Sequence, residues 1–479
     1  MTQLIDAIRT NDALTENGMA THSSTLTLCV DLFFTIGAMR GQDKKRLIST
    51  FTKAYSEDAL TATKLLFWAR DVRGGAGERQ IFRDIITYLA NSKHKETLRK
   101  NLALISEYGR WDDLLPLVGT PLETNALDLI ATALKDGNGL CAKWMPRPNV
   151  NSVEKKKWAK TLRKHLGMSP KDYRKMLSEH TNVVENLMCS KEFGAIEYGK
   201  VPSKAMSDYM KAFGKRDYER FTKYLDSVDK GEAKINTGAI YPYDVIKNLR
   251  FGDANGADTQ WNALPNYMED NSERLLPMVD VSGSMGSSVG GNDNISCMDV
   301  AVSLGLYISE RNEGVFKDAF ITFTSRPTLQ VVKGTLSERF RQMTGEVGYD
   351  TNLEAAFKMV LDRAVSAKIK PNEMPTMILV LSDMEFNEYS VVGMDSLTSQ
   401  QMISRLYESA GYKIPKLVYW NIQSRNGNNN PVQFDESGTA LVSGFSPALL
   451  TNLLGGKDMT PYSMMMNVIG SERYAPITL

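Results

Sequence analysis

Cysteine and histidine are the scarcest chemistry in this 479-residue chain, with four of each. Cys29, Cys141, Cys189 and Cys297 stand 48 to 112 residues apart. That spacing excludes a CxxC zinc or redox pair and a disulfide framework, and it predicts reduced, mostly buried thiols. His22, His94, His165 and His180 are scattered among polar neighbours, which argues against a HExxH zinc site or a His-dependent triad. The opening residues, MTQLIDAIRTND, lack a basic stretch followed by an apolar one, so no secretory signal is expected. The best apolar run, Leu26 to Met39, is interrupted by Asp31 and is too short to span a bilayer. These absences predict a soluble, cytoplasmic protein without membrane contact.

A surplus of one charge sign is also missing: 57 Lys and Arg meet 56 Asp and Glu, a net charge of +1. This excludes a uniformly basic nucleic-acid coat. A hydrophobic content of 42% with 24% charged residues describes a folded protein with large cores. The length suits about three folding units at roughly 150 residues each. The balance conceals an asymmetry, since residues 1–279 hold 41 basic and 35 acidic side chains and residues 280–479 hold 16 and 21. The first part is therefore +6 and the second −5, a division that makes nucleic acid a candidate partner for the first.

Up to about residue 265 the pattern is helical. In ALTATKLLFWARDV, residues 59–72, Leu60, Leu65, Leu66, Ala69 and Val72 fall near one stripe of a 3.6-residue period. Arg73-Gly74-Gly75-Ala76-Gly77 then ends that helix and a second runs from Glu78 to Ala90. Further helices are expected over 95–108 and 122–135, with Asp112 or Asp113 capping the segment between them. Consecutive helices with Gly-marked turns suggest a stacked, HEAT-like array, although no sequence repeat is visible. The Gly74–Gly77 turn lacks a GK[ST] ending and follows a helix, so it reads as a helix terminator rather than a phosphate loop. Residues 252–274, rich in Gly, Asn and Asp, read as a linker.

One segment stands out from this background. Between 143 and 175, eleven cations meet only Glu154 and Asp172. Ser169-Pro170-Lys171-Asp172 has the form of an N-cap followed by a first-turn proline, which puts Lys171, Arg174 and Lys175 on one helix face. Lysines and arginines at helix spacing neutralise phosphates largely without regard to sequence. Lys155, Lys156, Lys157, Lys160, Arg163, Lys164, Lys171, Arg174 and Lys175 are therefore the candidate RNA contacts, with Trp144 and Trp158 as candidate stacking surfaces. The competing explanation is an ordinary solvated helix face with tryptophans in the core.

After residue 274 the grammar changes. Leu275–Val281, Ala319–Thr324, Met377–Leu381 and Lys416–Ile422 are strand candidates, with helix-length segments at 296–310, 352–368 and 398–410 between them. Alternating strands and helices predict a doubly wound α/β domain, in which ligands bind at the carboxyl ends of the strands. Asp280, Ser282 and Ser284 sit on such an end, in Met278-Val279-Asp280-Val281-Ser282-Gly283-Ser284. One carboxylate and two hydroxyls at alternate positions offer hard oxygens to a cation such as Mg²⁺, which uses one or two carboxylates and keeps waters. Thr351 and Asp383 fall on later loops that can reach the same edge. The plain alternative is that the serines cap a helix and Asp280 makes a turn.

The loop Asp280–Ser284, with Thr351 and Asp383, resembles the metal-ion-dependent adhesion site of the von Willebrand A domain. The resemblance implies a bound Mg²⁺ or Mn²⁺ with one position open to a partner's carboxylate. Gly286 to Asn294 departs from that pattern by lengthening the path from the loop to its helix. The motifs RDVRGGAGERQIF, EYGRWDDLLPL, HLGMSPKDYRKMLSEHTNVVENLM, VPSKAMSDYMKAF and LSDMEF are similar to an uncharacterised-domain family of plants, fungi and phages. That family resembles TROVE proteins such as the Ro RNA-binding autoantigen, a ring of HEAT-like helices joined to a von Willebrand A domain. The expected organisation is a HEAT-like helical domain over 1–265, whose closure into a ring the sequence leaves open, and a von Willebrand A domain over 266–479.

The expected function is a non-enzymatic RNA-binding scaffold, for structured or single-stranded RNA, with a metal site that grips an acidic protein partner. Hydrolysis at the metal would need a general base, and Glu385 is the one nearby candidate. The alternative is an interaction or structural protein, such as a phage virion or assembly component, that uses the metal site without RNA.

Overall fold

The computed structural model describes residues 12–479 apart from 182, 251–255, 270, 290, 291, 346, 347, 349, 389–396, 426–428 and 455–458, and without the side chains of 248, 250 and 292–294. A short hairpin, β1 (Ala13–Leu14) and β2 (Ala20–Thr21), leads into α1 (Leu28–Ile36). The helices α2 (Lys44–Glu57), α3 (Ala59–Arg70) and α4 (Arg79–Ala90) pack on their neighbours in turn. The helix expected over 95–108 is split into α5 (Lys95–Asn101) and α6 (Ile105–Tyr108) by a 3₁₀ turn. A second 3₁₀ turn, Trp111–Leu117, precedes α7 (Glu123–Lys135) and α8 (Gly139–Trp144). The basic segment forms α9 (Val153–His165) and α10 (Pro170–His180). The region continues through α11 (Val184–Cys189), α12 (Ser203–Arg216), α13 (Tyr218–Asp229) and α14 (Pro242–Arg250). A separate apolar cluster around Tyr198, Met206, Phe213 and Phe221 joins α12 to α13.

The stretch read as a linker contains α15 (Ala257–Asn262), whose Trp261 is fully buried and donates its indole N–H to Glu310. Among its described residues Ala257, Trp261, Leu264 and Met268 are buried in the core, so burial outweighs a polar composition. In α3 the outlier is Leu60, which is exposed while Leu65, Leu66 and Ala69 are buried. The turn after α3 is closed by hydrogen bonds from the backbone N–H groups of Gly75 and Ala76 to the carbonyls of Asp71 and Trp68. A Cβ on Gly75 would lie 1.9 Å from the Trp68 carbonyl oxygen, so only glycine fits the helix-terminating role.

A six-stranded mixed sheet fills the C-terminal part, in the order β10 (Thr439–Ser443), β9 (Lys416–Asn421), β8 (Met377–Ser382), β3 (Leu275–Asp280), β6 (Ala319–Phe323), β7 (Thr328–Val331). Neighbours are parallel except β7, which runs antiparallel to β6. The connections carry α16 (Cys297–Arg311), α17 (Leu336–Thr344), α18 (Leu353–Ser366) and α19 (Ser399–Ala410). Pro277, which cannot donate to a ladder, is tolerated in this central strand because pairing with β6 starts only at Met278. On the lengthened path after Gly286, β4 (Ser288–Val289) pairs antiparallel with β5 (Asn292–Ser296).

The helical region and the sheet share one continuous hydrophobic core. The apolar run that is too short for a membrane becomes α1, buried from Cys29 to Ile36 because α2 and α3 cover one side and β10 the other. The Ser443 hydroxyl of β10 donates to the Phe33 carbonyl at 2.6 Å, so a helix covers what would be an open sheet edge. The C-terminal residues return to the helices, where the Arg473 guanidinium and the Tyr474 hydroxyl both donate to Asp71. The thiols of Cys29, Cys141 and Cys297 are buried and free, while Cys189 is free and exposed. Among the described residues no helix is long and apolar enough to cross a membrane.

Candidate metal centre

The strand order reverses between β3 and β8: from β3 the chain goes out to β6 and β7, and the later strands add on the other side. Such a switch point opens a crevice at the carboxyl ends of the strands. Asp280 ends β3, and Ser382 ends β8 next to it, with Asp383 directly after. The third loop arrives through a bridge between Ser282 and Gly348. A Cβ on Gly348 would lie 2.5 Å from the Thr324 side chain, so the absence of a side chain lets this loop lie against its neighbour. Thr351 is held by reciprocal bonds with Asn387: its N–H donates to the Asn387 side-chain oxygen, and its carbonyl accepts from the Asn387 N–H, both at 3.0 Å.

Within this crevice Asp280, Ser282, Thr351 and Asp383 are all at most 2% exposed, while Ser284 is half-buried. Asp280 accepts from the Ser282 N–H at 2.9 Å and from the Ser382 hydroxyl at 2.5 Å. The Ser282 and Ser284 hydroxyls lie 3.0 Å apart. Burial pushes the Asp280 carboxyl up to about 7, with the nearby charge of Asp383 adding to the rise. Burial also raises Asp383, against the pull of the Arg425 guanidinium at 3.0 Å. Met384, with φ at 65°, turns the chain sharply in a left-handed conformation directly after Asp383.

Two buried carboxylates, with the charge of Asp383 raising the affinity of Asp280 for its proton and serine hydroxyls beside them, suit a small hard cation. The described residues contain no cluster of three or more His, Cys, Asp and Glu. The oxygen set here has two carboxylates and the Ser282 and Ser284 hydroxyls, with Thr351 on the adjoining loop, in keeping with Mg²⁺, which needs only one or two carboxylates.

Several rim contacts, and Arg425 as a residue, give no signal in the sequence. Arg425 pairs with Asp383, donates to the Ser284 carbonyl, and reaches the Ser287 hydroxyl at 3.0 Å. Glu385 is buried, with one carboxylate oxygen accepting from the Glu16 N–H at 2.7 Å and the other from the Asn429 amide at 2.8 Å. Burial pushes the Glu385 carboxyl up to about 7. The N-terminal hairpin thus packs against the loop after Asp383, with Thr15 and Asn17 donating to the carbonyls of Phe386 and Glu385. These contacts join residues more than 360 positions apart.

The basic segment lies elsewhere, on the helical region. Lys155, Lys156, Lys157, Lys160, Lys164, Lys171, Arg174 and Lys175 are exposed. Arg163 is half-buried and donates to the Met168 carbonyl at 2.6 Å, where it closes the end of α9. Ser169 caps α10 as expected, with Pro170 in the first turn. The tryptophans do not serve as open stacking surfaces: Trp158 is in the core, and Arg110 stacks on Trp144 with its guanidinium carbon 3.6 Å from the ring centre. The adjacent acids Asp112 and Asp113 bind arginines, and Asp113 also accepts the Arg110 N–H at 2.9 Å as a turn cap.

Residues 15–135 and 123–274 match the family model described as domain of unknown function DUF2828, and residues 275–472 match domain of unknown function DUF7788. An uncharacterised protein, L728, of Acanthamoeba polyphaga mimivirus is 30% identical over an alignment of 517 positions that covers 96% of this chain and 87% of the viral protein. The change of model falls between residues 274 and 275, where the sheet begins, and the chain belongs to the DUF2828 family, here continued by a DUF7788 domain.

Proposed function

We propose that the protein is a non-enzymatic scaffold that grips an acidic protein partner through a divalent metal at Asp280, Ser282, Ser284, Thr351 and Asp383, and binds RNA through the cations of α9 and α10. The observation that carries this reading is the meeting of two buried carboxylates and their flanking hydroxyls at the switch point of the sheet. Those residues would hold Mg²⁺ or Mn²⁺, and the ion would supply an open position for a partner's carboxylate. The strand order and the Asp280–Ser284 loop support a von Willebrand A assignment. The run of short consecutive helices supports a HEAT-like, TROVE-type reading of the first part. Both oxygens of Glu385 are engaged by donors, which favours a structural use of that residue over proton transfer.

For RNA the support is the exposure of eight cations on two successive helices. Reversing three of them, Lys156→Glu, Lys160→Glu and Lys164→Glu, is expected to weaken binding of single-stranded RNA. The log–log salt slope should fall by about 2, at ~0.7 for each phosphate that is no longer neutralised. Filter binding across a salt series measures both, and an unchanged affinity and slope would remove RNA from the proposal. The viral relative supports a second reading, a virion or assembly component that uses the metal site without RNA. Co-sedimentation with a particle, together with no ribonuclease-sensitive absorbance at 260 nm, selects that reading. The first places the protein in the cytoplasm, the second in a virion.

A further inference from the structure

A second concentration of charge lies outside the metal centre, on the helical region. The Trp111–Leu117 turn, α4, α8 and the start of α9 enclose a cleft of about 360 Å³. Six cations line it, Arg79, Arg83, Arg110, Lys143, Arg147 and Lys155, against one carboxylate, Asp112. The acids within reach are already engaged. Asp112 holds Arg83 at 2.8 Å and Arg110 at 2.7 Å, Asp113 holds Arg70 and Arg83 at 2.7 Å, and Glu185 holds Lys143 at 3.2 Å. Among the described residues Arg147 reaches only neutral oxygens, the Ser178 hydroxyl at 3.1 Å and the Arg174 carbonyl at 3.4 Å. Arg79 and Lys155 have no carboxylate partner among the described residues. Burial lowers the affinity of the Arg79 guanidinium for its proton, and the charges of Arg110 and Arg83 lower it further. An anion in the cleft relieves both effects.

We propose that this cleft binds a phosphate group carrying two or more negative charges, either a terminal phosphomonoester or a diphosphate. Three cations without a carboxylate of their own call for more than a single negative charge. Guanidinium forks match tetrahedral phosphate oxygens with paired hydrogen bonds. The volume lies at the lower end of the ~300–1,000 Å³ range of small-molecule sites, which suits one phosphorylated end and excludes a duplex. The cleft is independent of the metal centre. It deepens the RNA reading where the phosphate is an RNA terminus, and it stands without that reading where the phosphate is carried by a free small molecule.

The test uses the full chain and four probes: pyrophosphate, sulfate, and one single-stranded RNA with either a 5′-phosphate or a 5′-hydroxyl. Pyrophosphate is expected to bind at least about tenfold more tightly than sulfate by calorimetry. The double variant Arg79→Ala/Lys155→Ala should lose about tenfold or more of that affinity, whereas Lys160→Glu/Lys164→Glu, outside the cleft, should keep it. Arg79→Gln/Lys155→Gln, which preserves side-chain length, repeats the measurement should the alanine pair melt early. A gain of affinity for the 5′-phosphorylated RNA that disappears in the cleft variant assigns the phosphate to an RNA end. Equal binding of the two RNAs, with pyrophosphate still bound, assigns it to a small molecule. The proposal is overturned if pyrophosphate binds no better than sulfate, or if the folded cleft variant binds it like the unaltered chain. Loss of RNA binding in Lys156→Glu/Lys160→Glu/Lys164→Glu with intact pyrophosphate binding marks the lysine face as a separate contact.

Discussion

Alanine at Asp113 is expected to cost about 3–5 kcal/mol and to lower the melting temperature by roughly 3–5 °C. Asp113 is fully buried and accepts three hydrogen bonds, from Arg70 and Arg83 at 2.7 Å and from the Arg110 N–H at 2.9 Å. Arg70 is itself only 5% exposed at its side chain, so the substitution strands a guanidinium with neither water nor a carboxylate beside it. Replacing a buried pair with apolar groups can be neutral, but removing one partner is not. Asp113→Asn should lose less, because its amide oxygen can still accept from Arg70 and the Arg110 N–H, although its NH2 cannot accept from Arg83. Differential scanning calorimetry decides the matter. A melting point for Asp113→Ala within about 2 °C of the unaltered chain would mean that the arginine network does not hold this turn.

That network shows where the sequence stops being informative. Asp112 and Asp113 are legible as caps because capping acts over three residues, and Asp113 does cap the turn. Their pairing with Arg70 and Arg83 joins residues 29 to 43 positions apart, and no local pattern encodes it. The strands separate in the same way. β3, β6, β8 and β9 are buried runs of apolar residues and stand out from their surroundings. β7 has an alternating, half-exposed pattern over four residues, and β10 has three apolar residues between Thr439 and Ser443, so both pass for loop. Trp261 shows the reverse case, in which one large side chain anchors a segment whose composition reads as linker. At the candidate metal site, Asp280, Ser282 and Ser284 are legible because strand, acid and hydroxyls are contiguous. Arg425, 141 positions from the Ser284 carbonyl it binds, becomes visible only once β8 and β9 are paired.

The two carboxylates give the proposed metal site a pH signature. Asp280 has an ordinary value of 3.8 and is pushed up to about 7 in the folded chain. Between those values the native state holds a proton that the unfolded chain releases, so without metal this group's contribution to stability falls as pH rises across that window. The loss is on the order of a few kcal/mol by about pH 8, because the charged form must sit buried beside Asp383. Mg²⁺ binding needs the carboxylate form, so its stabilising effect runs the other way, small near pH 5 and large near pH 8. Asp280→Asn can keep both hydrogen bonds of the native side chain, accepting from the Ser282 N–H and donating to the Ser382 hydroxyl oxygen. It is therefore expected to fold, to melt higher than the unaltered chain in EDTA at about pH 8, and to show little change on adding Mg²⁺. Thermal shift at several pH values, with EDTA or with millimolar Mg²⁺, reads all three. Equal Mg²⁺ stabilisation in Asp280→Asn and the unaltered chain would exclude Asp280 as a ligand, and a flat metal-free profile from about pH 5 to 8 would show that burial does not hold its proton.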